Sequence, residues 1–376
     1  MKRKWLRTLA VLGVLVISLT SFTGCESKSS PSDGTAAAAD DADGNGYADK
    51  IYLYNWSEYM TQDVKDAFQK EYGIEVVEVT FESNEEMLAK LITGGSDQYD
   101  LAIPTNFFVP AMLANDLLEP YDEGAISNIG NIDSKFLKPS YDPDQKYTVP
   151  YFGTASLVVG NKKMLADLGI TDLKTYADLL NPALKNNVVL MDDNSGITTF
   201  SLQTLGMDPQ VKNDETLEKA KQNLLDNINP QIKTWADNAT ARDMLIRGEA
   251  AVGYVYSGIA GQILAENPDT QLYLVDQANS LSMDTIVLLK GSKHKKEAEL
   301  FVNFLLRPEI SAQLTEAFMY VCPNTAAKEY VSKDVLNNKG CFLPDEFYKN
   351  YYFINEISDE VAAKNDEIAT LVKSAK

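Results

Sequence analysis

The sequence predicts an α/β fold of two lobes with a ligand cleft between them, and three observations predict it. After position 50, short runs rich in β-branched and aromatic residues alternate with helical stretches, the pattern of parallel strands joined by crossover helices. The chain has 376 residues, more than one hydrophobic core usually supports even after an N-terminal leader is removed. No long linker divides it, so the chain is expected to pass between lobes more than once, through short hinges near 153–156 and 281–284.

The elements follow in order. Lys2, Arg3, Lys4 and Arg7 precede an apolar core from Leu9 to Leu19, the layout of a signal peptide and too short for a comfortable membrane span. The run Phe22-Thr23-Gly24-Cys25 is similar to the lipobox of bacterial lipoproteins, with Phe22 in place of the usual leucine. That likeness implies removal of residues 1–24 and a lipid on Cys25, which would hold the body at the outer face of a cell membrane; an ordinary secretory signal with an incidental cysteine is the alternative. Residues 25–48 are small and polar and read as a flexible tether. Strands are then expected at 50–56, 75–82 and 99–104, with helices at 63–71, 84–91 and 109–115; Ser83 with Glu86 marks the start of the second helix as a capping box. The later part repeats the habit, with strands at 156–161, 187–191, 250–256, 271–275 and 284–289 and helices at 296–306 and 308–318.

The formal net charge is −20, and loss of the four basic leader residues makes the mature chain more negative. Such a surface repels nucleic acid and attracts small cations, although acidity for solubility is the plainer reading of charge alone. His294 is the one histidine, set among lysines in what reads as a solvated helix start. No zinc spacing, phosphate loop or nucleophile elbow is visible, so binding without metal or cofactor is the expectation. Of the three cysteines, Cys25 is assigned to the lipid, and Cys322 with Cys341 forms a disulfide candidate in an oxidising compartment; two buried thiols are the alternative.

In sheets of this kind ligands bind at the carboxyl ends of the strands. Those ends carry Asn55, Trp56, Ser57, Glu58 and Tyr59, then Thr105, Asn106, Phe107 and Phe108, then Asp192 and Asp193, Trp235 and Asp237, and Tyr256 with Ser257; Asp284 heads its strand and Tyr320 follows a helix. The set is aromatic and acidic with almost no basic residue, which fits an organic dication or trication. Aromatic faces attract ammonium groups and cover methylene chains, and carboxylates offset the loss of ammonium hydration.

Several stretches, LYNWSEY at 53–59, GIEVVEVTFESNEEMLAKL at 73–91, YDLAIPT at 99–105, FLLRPE at 304–309 and MDT at 283–285, resemble the bacterial spermidine/putrescine-binding proteins, the solute-capturing subunits of polyamine ABC transporters. The resemblance implies a type II periplasmic-binding-protein-like fold, with lobes at 49–155 plus 283–328 and at 156–282 plus 329–376. It also implies a monomer that hands polyamine to permease subunits driven by a cytoplasmic ATPase, and no enzymatic activity. Carried over by position, it gives Trp56 and Tyr59 as an aromatic wall, Ser57 and Glu58 as polar contacts, Asp193 and Asp284 as acids that hold amines, and Tyr320 as a pocket tyrosine. Thr105, Phe107 and Tyr256 stand where the family commonly has serine, tyrosine and tryptophan.

Two departures bear on the ligand. Ser282 replaces an aromatic residue that sandwiches the aliphatic chain, and Gly196 replaces a glutamate that contacts an amine, which leaves putrescine and spermidine both open; Asp237 is a candidate substitute. Each residue also has a plainer reading: Trp56, Tyr256 and one of Phe107 and Phe108 as core, Asp193 as a helix cap, Asp284 paired with a surface lysine. A different solute such as another amine or a sugar is the rival ligand. A hydrolase using Asp192 and Asp193 or Glu85 and Glu86 is the rival class, disfavoured because adjacent carboxylates diverge.

Overall fold

The structure, a computed structural model, describes residues 44–57, 59–355 and 358–376. The leader, Cys25, most of the tether and Glu58 lie outside the described residues. Strands appear in the order β1 (Lys50–Trp56), β2 (Glu75–Phe81), β3 (Leu101–Ala102), β4 (Leu118–Glu119), β5 (Thr148–Asn161), β6 (Val188–Met191), β7 (Thr234–Ala236), β8 (Val252–Tyr256), β9 (Thr270–Tyr273), β10 (Asn279–Leu289) and β11 (Tyr351–Phe353). They pair in the order β2-β1-β3-β10-β5-β8-β6-β7, with β4 and β11 on β10 and β9 on β5.

The fold is a two-lobed α/β architecture in which β5 and β10 run through the middle. β1 pairs in parallel with β2 and β3, and β6 pairs in parallel with β7 and β8. The two middle strands correct the expectation of purely parallel sheets, because β10 is antiparallel to β3 and β5, and β5 to β8. A parallel return needs a long crossover, usually a helix, and the segments Ser127–Asn131 and Ser134–Phe136 ahead of β5 hold only short 3-10 turns. Within β5 the partner changes: Thr148 to Ala155 lie against β10, and Ser156 to Asn161 against β8 and β9. That change falls inside the stretch expected as a hinge.

Local sequence explains the flanking elements. In β1, Ile51 and Leu53 enter one apolar cluster while Tyr54 enters another on the opposite face, as a strand with period two requires. Thr61 caps the helix Gln62–Tyr72, Val64 and Phe68 bury one stripe of it, and Gly73 at φ 77° ends it. Ser83 accepts from Glu86 N at 3.1 Å, and the Glu86 carboxylate returns to Glu82 N at 3.1 Å rather than to Ser83.

Three expectations are corrected. Residues 44–48, assigned to the tether, are fastened to the body: the Tyr47 ring meets Tyr72 edge-on at 6.5 Å, Lys296 Nζ lies 4.2 Å from the centre of the Tyr47 ring, and Ala48 N donates to Glu297 at 3.1 Å. Tyr47 is the apolar anchor that the compositional reading passed over. Cys322 and Cys341 are buried free thiols rather than a disulfide. Their backbones touch, Cys322 N donating to Cys341 O at 3.0 Å, but Sγ of Cys341 turns to Met319 O at 3.4 Å and Sγ of Cys322 to Asn324 O at 3.5 Å. Burial pushes the Cys341 thiol up to about 12. His294 does stand at the start of a helix, Lys295–Leu305, but it is half-buried rather than solvated, its Nδ1 3.2 Å from the buried carboxylate of Asp100.

Candidate functional site

Because β10 runs against β3, its first half lies beside the carboxyl ends of β1 and β3, and a register shift between Asp284 and Thr285 marks the spot. There Asp284 is only 9% exposed. Its Oδ2 accepts from the Tyr59 hydroxyl at 2.6 Å and its Oδ1 from the Thr105 hydroxyl at 2.7 Å. Thr105 is itself fixed by Asn84, whose Oδ1 accepts from Thr105 N at 3.0 Å while its Nδ2 donates to Thr105 Oγ1 at 3.1 Å. Burial pushes the Asp284 carboxyl up to about 6 against the pull of those two hydroxyls.

Aromatic rings pack around Tyr59, one of the two donors to this carboxylate. The Tyr59 ring stands 5.0 Å from Tyr320, 5.4 Å from Tyr151 and 5.6 Å from Phe152, and the Tyr151 hydroxyl donates to Tyr59 O at 2.6 Å. Tyr320 also reaches the other half of the sheet, for a Cβ on Gly258 would lie 3.0 Å from its Cε1. Glycine at 258 thus lets the ring close onto the helix Ser257–Glu266 that follows β8. Sequence reasoning missed Tyr151 and Phe152 because they lie inside β5 rather than at a strand end. Their adjacency to the hinge stretch was the signal that would have found them.

The second cluster forms at the ends of β6 and β8. Asp193 caps the helix Asn194–Thr204 through Gly196 N, and the Tyr256 phenol shares a hydrogen bond with it; burial first, then the Asp193 charge, hold that phenol well above its ordinary value. Asp192 is paired with Lys373 at 2.7 Å. Lys212 comes in from the loop after the helix, its Nζ 2.9 Å from Ser195 Oγ and 3.2 Å from Ser195 O, with Asp193 as its neighbouring anion. Nothing in the strand-end pattern pointed to Lys212.

Among the described residues, the other candidates make no hydrogen bond to either acid. Trp56 is half-buried with its ring 4.6 Å from Phe81, and its buried Nε1 has no hydrogen-bond partner among the described residues. Ser57 is exposed and gives its hydroxyl to Glu82 at 2.8 Å. Phe107 lines a cavity of about 320 Å³ with Met283, Thr285, Phe353 and Asn355, and the Thr285 hydroxyl is buried without a hydrogen-bond partner among the described residues. Ser282 bonds Thr154 O at 3.3 Å. Asp237 is exposed and caps the helix Asn238–Ile246, accepting from Thr240 N at 2.9 Å and Thr240 Oγ1 at 2.7 Å. Among the described residues no His, Cys, Asp and Glu group is arranged to hold a metal ion.

Comparison with known proteins agrees with this geometry. The profile of the family described as bacterial extracellular solute-binding protein matches residues 63–341. The spermidine/putrescine-binding periplasmic protein of Salmonella typhimurium is 29% identical over 362 residues, covering 96% of each chain. Among solved structures, a spermidine/putrescine ABC transporter substrate-binding protein from Streptococcus pneumoniae is similar with a TM-score of 0.76 and 30% identity, over 87% of this chain and 99% of that one. A lipoprotein of Treponema pallidum has a TM-score of 0.72 and 25% identity, over 87% of this chain and 100% of its own.

Proposed function

This chain belongs to the bacterial extracellular solute-binding proteins, and from that membership we propose that it captures polyamines, putrescine or spermidine, and delivers them to the permease of an ABC transporter. The observation that carries this reading is Asp284. This buried carboxylate, bonded by hydroxyls alone and next to the cluster of Tyr59 with Tyr151, Phe152 and Tyr320, pairs with no lysine or arginine among the described residues. Such a group is costly to bury as an anion, and an alkylammonium supplies both the missing charge and the apolar chain that suits the rings. The names of the relatives point to the same ligand class.

In this reading Asp284, Tyr59, Thr105 and Tyr320 hold one ammonium, Asp193 and Tyr256 face the other end, and Trp56, Ser57, Glu58 and Phe107 complete the wall. The lobes, 49–155 plus 283–328 and 156–282 plus 329–376, close by flexing where β5 changes partners, and ligand shifts the population toward the closed form. The protein works as a monomer, outside the cytoplasm, held to the cell membrane by lipid on Cys25; the similarity to a chain named as a lipoprotein favours that anchor. No chemical turnover takes part.

The test is isothermal titration calorimetry of the body from residue 44 onward with putrescine, cadaverine and spermidine, and maltose as control. Saturable binding of at least one amine is expected. Silence with all three amines in a folded, ligand-free sample overturns the proposal.

A further inference from the structure

We infer that Lys212 is a specificity-determining residue that neutralises Asp193 from within the protein, so that the cleft prefers amines of lower charge, diamines over triamines. The inference deepens the polyamine reading and rests on it. It starts from the unequal surroundings of the two acids. Asp284 is met by two neutral hydroxyls. Asp193 is met by the backbone N–H of Gly196 and by the positive end of the 11-residue helix Asn194–Thr204, and the Lys212 ammonium is bonded to Ser195, two positions along the same helix start.

Lys212 is fixed in place rather than sweeping past. It is mostly buried, and its Nζ is held by Ser195 Oγ at 2.9 Å and Ser195 O at 3.2 Å. Burial pulls the ammonium down to about 8 while Asp193 pulls it up, so at neutral pH it remains mainly a cation. A ligand ammonium brought to Asp193 therefore meets a like charge, and the repulsion grows as binding excludes water. Asp192, next along the chain, is already paired with Lys373 at 2.7 Å. Position 196 is a glycine, so it supplies no second acid at this end of the cleft. One carboxylate, Asp284, is thus left without a protein cation, and each additional ligand ammonium finds a poorer partner.

The test is calorimetry of the body with putrescine and spermidine for the wild type, Lys212→Met and Ser195→Ala, each first shown to be folded by thermal melting. The wild type is expected to favour putrescine. In Lys212→Met the ratio of spermidine to putrescine affinity should rise about tenfold or more as the like-charge contact is removed; Ser195→Ala, which removes one of the two bonds that hold the ammonium, should move it the same way by less. If Lys212→Met does not fold, Ser195→Ala decides alone. A folded variant with an unchanged ratio, or a wild type that favours spermidine, overturns the role of Lys212 while leaving polyamine capture standing. No binding of either amine by any of the three proteins overturns both.

Discussion

Burial lifts the Asp284 carboxyl from 3.8 to about 6, and stability and binding then respond to pH in opposite senses. The fold prefers the neutral acid, so the penalty is complete above about pH 6, fades as pH falls, and is gone below 3.8. A carboxyl raised this far carries a penalty of roughly 3 kcal/mol when ionised. Asp284→Asn is therefore expected to melt at a higher temperature than the wild type at pH 7 and at nearly the same temperature at pH 4, as read by differential scanning calorimetry. Equal melting at both values would show that the carboxylate is not desolvated. The same substitution should weaken polyamine binding by about 3 kcal/mol or more, because a desolvated ammonium loses its charged partner. Wild-type affinity should be flat above pH 6 and fall about tenfold per pH unit below it, a slope that Asp284→Asn abolishes. A flat profile down to pH 4.5 would remove Asp284 from the site.

At the scale of elements, legibility depended on whether a residue's role was local. The capped helices, β1 and β2, and Asp284 with Tyr59 were readable because period, capping and strand-end position are written in neighbouring residues. Tyr151, Phe152 and Lys212 were not, because β5 brings the first two to the site from mid-strand and Lys212 reaches Ser195 across 17 positions. The antiparallel course of β5 and β10 was equally hidden, since strand direction depends on partners far along the chain. Asp237 shows the reverse ambiguity: a cap and a ligand acid look alike when only the place after a strand is known. Asp237→Ala should leave polyamine affinity unchanged and cost about 1 kcal/mol of stability through the lost cap on Asn238–Ile246. A drop in affinity with unchanged melting would return it to the site. The loop around Cys341 gives a second element-scale test. A Cβ on Gly340 would lie 2.5 Å from Gly261 N and 2.8 Å from Ser257 O, both backbone atoms that cannot swing aside, whereas one on Gly130 meets nothing within 4 Å. Gly340→Ala should lose on the order of 2 kcal/mol by overpacking, seen as a lower urea midpoint, and Gly130→Ala should not. Equal midpoints would mean that the loop shifts freely off the helix that begins at Ser257.

Over the whole molecule, a net charge of −20 acts on the ligand before any contact forms. A polyamine diffusing toward this surface is drawn in by the summed field, and the field reaches only about one Debye length, roughly 30 Å at 0.01 M salt and 3 Å at 1 M. In the proposed mechanism lobe closure then buries the bound ammonium, and salt screens a buried pair far less than an exposed one. The two steps therefore separate kinetically. In stopped-flow measurements the association rate for putrescine should fall steeply as salt rises from about 0.01 M to about 1 M, while the dissociation rate changes little because it reports the enclosed contact at Asp284. If dissociation instead accelerates in parallel with the loss of association, the ammonium is held at an exposed surface, and closure over a buried carboxylate is not how this protein retains its ligand.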